Sequence, residues 1–213
     1  MQNNSIFKYR FWYAFVLFFF VFSYSSISMR GETKKNTKQI YKEIKYPTPN
    51  IDHNAINTVE GVILHHTAEP TVEKSLSVLT STKKKVGTHV VIDTDGTRYI
   101  MASPETVTYH AGLSVLNGKT GCNYFTIGIE FQGNTLEKPL TQDQINSAIE
   151  YLKPLISKYK IPLRNIVSHE MIRKAYMKKY PRKRCSGKVD ITPTEYKRFM
   201  NALKAALNIT VHM

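Results

Sequence analysis

The run Gly61-Val62-Ile63-Leu64-His65 limits more than any other segment how this chain can fold. It is short, apolar and broken by Thr67 to Pro70, which suits a β-strand buried on both faces and ending in a histidine pair, His65 and His66. A second apolar run, Phe125 to Phe131, is interrupted by Gly128 and Glu130 and punctuated by polar residues at Asn117 to Asn123 and at Gly133-Asn134. A carboxylate inside such a strand needs a reason. His89 to Ile92 and Thr97 to Met101 flank Asp95-Gly96, a dipeptide favoured in tight turns, and read as strand-turn-strand.

Helical patterns alternate with these strands. Val72 to Thr82 can form a helix, and Thr141-x-x-Gln144 is a capping-box signature for one that carries Ile145, Ile149, Leu152, Leu155 and Ile156 on one side. Pro154 weakens that expectation locally. Ile166 to Ser168 is a short strand that delivers His169, and Thr194 to Leu207 is a terminal helix with Tyr196, Phe199, Met200, Leu203 and Leu207 at helical spacing. The pattern predicts an α/β fold, a central mixed β-sheet flanked by helices in a single domain, with no internal repeat.

Before that domain, Lys8 and Arg10 precede a dense apolar stretch, Phe11 to Phe22, followed by small residues including Ser26 and Ser28. This is the layout of a secretory signal over residues 1–28, with cleavage before Met29. The stretch is shorter than the roughly 20 residues that cross a bilayer comfortably. Retention as a membrane anchor and burial as a core helix remain alternatives. No cysteine lies near it for lipid attachment. Residues 29–50 are polar and lysine-rich and end in Pro47 and Pro49, which predicts a flexible basic linker, with the folded domain over 51–213.

The formal charge of +14 is concentrated in Lys34 to Lys45 and Arg173 to Lys188. It implies either an anionic partner or a merely solubilising basic face. For an exported chain, periplasmic or otherwise associated with the cell envelope, the fitting partners are anionic envelope polymers and headgroups. Nucleic acid is not expected, because no nucleic-acid-binding motif is present. Cys122 and Cys185 have no metal-finger spacing and form no disulfide framework, although a single bridge between them is compatible with an oxidising compartment. A monomer is expected.

His65 and His169 both arrive at strand ends and are followed by polar residues. Imidazole is a good zinc ligand, and catalytic zinc sites combine three protein ligands with an open position. A third ligand downstream of His169 is Asp190 or Cys185, since carboxylate and thiolate both suit zinc.

The ordered set His65-His66-Thr67-Ala68, Tyr109-His110-Ala111-Gly112, Asn123 to Glu130, Ser168-His169-Glu170 and Lys188-Val189-Asp190 resembles the zinc-dependent N-acetylmuramoyl-L-alanine amidase family. That family also includes phage T7-type lysozyme amidases and peptidoglycan recognition proteins. The resemblance spans roughly Gly61 to Leu203. It implies Zn2+ held by His65, His169 and Asp190, with Glu130 and Lys188 as catalytic residues and His110, His89 and Asn123 near the substrate. Glu130 would move the proton between water and the leaving amine, and Lys188, with His110 as a second candidate, would donate to the oxyanion. The implied partner is peptidoglycan or its muropeptide fragments, and the rival reading is a non-catalytic binding module of the same fold. The resemblance is imperfect in three places. The His169 to Asp190 segment is longer than in the branch of the family that handles anhydromuropeptides during wall recycling, Ile191-Thr192 replaces Pro-Gly, and Thr88 stands where phage-type members have a tyrosine. Lys183-Arg184-Cys185 offers a second match to the lysine-preceded ligand, and Asp190 is preferred.

Overall fold

A computed structural model describes residues 40–183, 185 and 190–208. The export segment expected over 1–28, the first part of the linker, and Lys188 lie outside the described residues. At the centre is a six-stranded mixed sheet of β1 (Glu43–Lys45), β5 (Arg98–Ile100), β4 (Val90–Ile92), β9 (Thr126–Phe131), β3 (Gly61–His66) and β10 (Ile166–Ser168), in that spatial order. Strands β4, β9, β3 and β10 run parallel, while β5 pairs antiparallel with β4 and parallel with β1. Two small pairs lie outside this sheet, β2 (Ile51–Ile56) with β6 (Thr106–Thr108) and β7 (Val115–Leu116) with β8 (Lys119–Thr120).

Both faces of the sheet are covered, as the unbroken apolar runs require. On one face, Val62, Leu64, Val90, Ile92, Ile127, Ile129, Phe131 and Ile166 pack with α2 (Gln142–Tyr159) and α4 (Pro193–Ala206), which bring Ile145, Leu152, Phe199 and Leu203. The Thr141 capping box forms in full. Pro154 is accommodated inside α2, which continues to Tyr159. On the opposite face, Ile63 and Val167 pack with Ala111, Phe125 and Ile172, while Val91 meets Leu76 and Leu79 of α1 (Val72–Leu79). Ile172 belongs to α3 (His169–Lys179), a helix that no apolar stripe announced, since it is the buried residue of that helix.

The expected extent of the linker needs correction. Residues 40–50 are part of the fold: β1 joins the sheet, and Tyr41 is buried against Gly96, where a Cβ would lie 2.4 Å from its ring. The buried Arg98 guanidinium explains why a polar, lysine-rich segment is held there. Its Nε donates to Glu43 at 2.9 Å, while its other nitrogens donate to Glu150 at 3.1 Å and to the Ser147 carbonyl at 3.1 Å. A buried cation of this kind needs such partners. None of these three partners, all distant from Arg98 in sequence, has a short-range sequence signature.

Candidate active site

Parallel register builds the site. His65 of β3 stands beside Glu130 of β9, so both side chains leave the same face near the carboxyl ends of their strands. His66, one residue on, points to the other side, where its Nδ1 accepts from the Thr135 backbone N–H at 3.0 Å. Of the histidine pair, His65 reaches the cavity. The neighbouring β10 ends at Ser168, whose hydroxyl caps α3 by accepting from the Met171 N–H, and this places His169 on the first turn beside His65. Asp190 comes from the connection into α4. Buried Ile191 follows it, then Thr192, whose N–H donates to Thr135 Oγ1 at 3.0 Å and whose side chain caps the helix.

His65, His169 and Asp190 therefore converge, with one candidate ligand atom from each lying within 4.8 Å of the others. Asp190, 1% exposed, faces His65 Nδ1 through Oδ1 at 3.2 Å and His169 Nδ1 through Oδ2 at 2.6 Å. The outer nitrogens are also engaged. His169 Nε2 lies 3.1 Å from the Ala111 carbonyl, which can only accept, and His65 Nε2 lies 3.3 Å from His110 Nδ1. Burial raises the Asp190 carboxyl, but hydrogen bonds and charge from the two histidines outweigh it and hold the group far below the usual carboxylate range. Burial pulls His169 down, and Asp190 more than reverses this, so its net shift is upward. With Nε2 of His169 committed to a carbonyl, Nδ1 turned toward the carboxylate needs a cation between them, a second proton or a metal ion. Two imidazole nitrogens and one carboxylate around one point are a donor set that suits zinc.

These groups line a cavity of about 430 Å³, together with Glu130, His110, Asn123 and Cys185. Glu130 is 5% exposed and sits in the cavity wall. Lys85 and Arg173 also line it. Sequence reading had not singled out either of them, although Arg173 stands four residues after His169 and so on the same face of α3. Cys185 places its Sγ 4.0 Å from the Leu113 carbonyl, apart from the three converging groups. Both cysteines are free thiols.

The histidines expected at the substrate are differently employed. His89 is wholly buried and lies behind the cavity: its Nδ1 accepts from the Gly128 N–H at 2.9 Å and its Nε2 donates to the Thr106 carbonyl at 2.9 Å. Burial lowers its pKa to about 4, so it is neutral. It has no contact with the cavity. His110 does line the cavity, but its Nε2 donates to the Thr126 carbonyl at 3.3 Å and its Nδ1 faces His65, which leaves no ring donor for an oxyanion. Burial, then the charges of His65 and His89, holds its pKa well below the usual histidine value. Asn123 stands in the wall, with Oδ1 accepting from the Ala111 N–H at 2.7 Å. It thereby supports the loop whose carbonyl meets His169. Thr88 is fully buried, and its hydroxyl has no hydrogen-bond partner among the described residues.

A cluster of two histidines and one aspartate that could hold a metal ion thus opens into a cavity at the strand ends of a mixed α/β sheet. The chain belongs to the N-acetylmuramoyl-L-alanine amidase family, whose profile matches residues 55–188. It is 28% identical over 126 residues to the N-acetylmuramoyl-L-alanine amidase AmiD of Escherichia coli (strain K12), covering 52% of this chain and 45% of that protein. It is 35% identical over 88 residues to the 1,6-anhydro-N-acetylmuramyl-L-alanine amidase AmpD of Haemophilus influenzae, covering 40% and 46%. The chain thus spans about half the length of the curated relatives it matches. Among solved structures it resembles the amidase LysC from Clostridium intestinale URNW, with a TM-score of 0.53 at 24% identity over 80% of this chain and 100% of that one. It also resembles E. coli AmiD in complex with anhydro-N-acetylmuramic acid-L-Ala-D-gamma-Glu-L-Lys, with a TM-score of 0.53 at 22% identity over 71% and 60%. At these identities the likeness is one of fold.

Proposed function

We propose that this chain is an exported zinc amidase that hydrolyses the amide bond between N-acetylmuramic acid and the L-alanine of the stem peptide, in peptidoglycan or its fragments. The observation that carries the reading is the convergence of His65 Nδ1, His169 Nδ1 and Asp190 beside Glu130 in one cavity. Zinc, when bound by these three, supplies Lewis acidity toward a water and toward the amide carbonyl. Glu130 accepts the proton of the attacking water and returns it to the alanine nitrogen as the carbon–nitrogen bond breaks. Lys188 is assigned to the developing oxyanion, a role that His110, with both ring nitrogens committed, does not take. Lys85 and Arg173 give the cavity wall a cationic character that suits the carboxylates of a stem peptide such as the one bound by AmiD. Export through residues 1–28 to the periplasm or envelope is the route consistent with such a substrate.

Mass spectrometry of purified wall and of anhydromuropeptide after incubation with the zinc-loaded chain tests this. Release of intact stem peptide beginning at L-alanine is the expected result. Full cleavage by metal-free protein, or binding without cleavage of either substrate, overturns it.

A further inference from the structure

We infer that His110 is a positioning residue for the zinc site: a neutral imidazole whose Nδ1 accepts the Nε2 proton of His65 and so presents the His65 Nδ1 lone pair to the metal. The inference rests on the zinc reading above and adds to it which nitrogens bind and what decides this. It follows from counting protons outward from a backbone carbonyl. The Thr126 oxygen carries no proton, so the 3.3 Å contact with His110 requires the proton on His110 Nε2. A neutral ring then has its lone pair on Nδ1, and that atom lies 3.3 Å from His65 Nε2. The proton shared between them must be the one on His65, which leaves its Nδ1 free on the side of Asp190.

His169 reaches the same tautomer by a different route. Its Nε2 donates to the Ala111 carbonyl at 3.1 Å, a partner that cannot change its hydrogen-bonding role. His110, by contrast, is an acceptor only because Thr126 holds its other nitrogen. Two features hold the ring in place. A Cβ at Gly128 would lie 2.6 Å from His110 Cγ and 2.7 Å from its Nδ1, so the ring occupies space that any other residue would fill. The His110 N–H donates to the Thr108 carbonyl at 3.1 Å, and the following Ala111 N–H is held by Asn123. A glycine in the middle of a buried apolar strand thus makes room for a side chain that orients a ligand on the strand beside it.

The test reads tautomer and affinity rather than turnover. Long-range proton–nitrogen NMR of the zinc-loaded full chain should show His65 bound through Nδ1 with its proton on Nε2. Coordination through His65 Nε2 overturns the inference, and this measurement needs no variant to fold. Chelator competition then compares two substitutions whose folding is checked by circular dichroism. His110→Asn keeps an acceptor oxygen on the side of His65, whereas His110→Gln carries its amide only toward Thr126. Zinc binding should weaken about 10- to 100-fold in His110→Gln and be largely restored in His110→Asn. Parental affinity in His110→Gln, or equal weakness in both, overturns the role. A parent chain that takes up no zinc removes the metal reading and this inference together, while zinc uptake without amide hydrolysis removes only the proposed reaction.

Discussion

Along β3 and β9, Val62, Leu64, Ile127, Ile129 and Phe131 turn toward α2 and α4, while the residues between them, Ile63, His65, Gly128 and Glu130, belong to the opposite face, where His65 and Glu130 line the cavity. The first face is filled almost entirely by hydrocarbon. The second carries histidines, a carboxylate and a glycine whose missing side chain is occupied by His110. Burial is nearly complete on both faces, so exposure does not separate them. What separates them is their polar content, because a polar atom buried without a partner costs more than its hydrogen bond would contribute. The face under α2 and α4 stabilises the fold, and the face toward α3 uses that stability to hold polar groups close together.

The sharpest way to break this division is to exchange damage between the faces. Asp190→Ala should abolish turnover and weaken zinc binding by more than the roughly 100-fold typical of losing an orienting partner, as read by chelator competition. Phe199→Ala, on the other face, should reduce unfolding free energy by about 3–5 kcal/mol in denaturant titration. The folded fraction should keep its zinc affinity. A Phe199 variant that folds normally but loses zinc would show that the faces are not separable.

The division also explains what was legible in the sequence. The apolar runs identified β3 and β9 and the stripes identified α2 and α4, because hydrocarbon burial imposes a period. The same property hid the orientation of the site: in a strand buried on both faces, His65 and His66 are equally apolar in context, and His65 was chosen on its place at the strand end and on the family resemblance, not on the apolar pattern. Helix α3 was missed because Ile172 is its buried residue, so its period is carried by one side chain. Strand β1 was missed because a buried arginine on β5, rather than any apolar pattern of its own, holds residues 41–45. His89 and His110 were recognised as motif residues, but their roles depend on which carbonyl each ring meets, which no local pattern encodes.

Within the cavity face, Glu130→Gln sharpens the comparison by separating chemistry from metal binding. Turnover should fall about 10²- to 10⁴-fold while zinc uptake stays at the parental level, measured by metal analysis of the dialysed protein. Unchanged turnover would return Glu130 to a structural role.

Acidity divides the faces next. His89 is wholly buried and its pKa is lowered to about 4, so the unfolded chain takes up its proton near the ordinary value while the folded chain does not. Its contribution is therefore present above about pH 6.5 and is lost as pH falls toward 4, on the order of 3 kcal/mol for a shift of that size. His169 shifts the opposite way in metal-free protein, since burial lowers it but Asp190 raises it further. Its contribution is present below about pH 6.5 and is lost as pH rises through the raised value. Metal-free protein should thus lose stability in alkali from this group, and zinc should cancel that loss by replacing the proton. Thermal melts across pH, with and without zinc, check both signs, and an identical alkaline trend in the two forms would remove His169 from the site.

The smallest expected effect belongs to Cys185, which lines the same cavity yet stands outside the converging set. A thiolate there is chemically competent to bind zinc, and Lys183 precedes it by two residues as Lys188 precedes Asp190. Geometry argues against it, since Asp190 already meets both histidines at 3.2 and 2.6 Å, whereas the Cys185 sulfur lies against the Leu113 carbonyl. Cys185→Ser should therefore leave zinc affinity and hydrolysis nearly unchanged. Cobalt substitution gives an independent reading, because a thiolate ligand produces an intense sulfur-to-metal band in the near ultraviolet that a site of two histidines and a carboxylate lacks. No such band is expected. Its appearance in the parent protein, together with its loss in Cys185→Ser, would transfer the third ligand to Cys185 and the oxyanion role to Lys183.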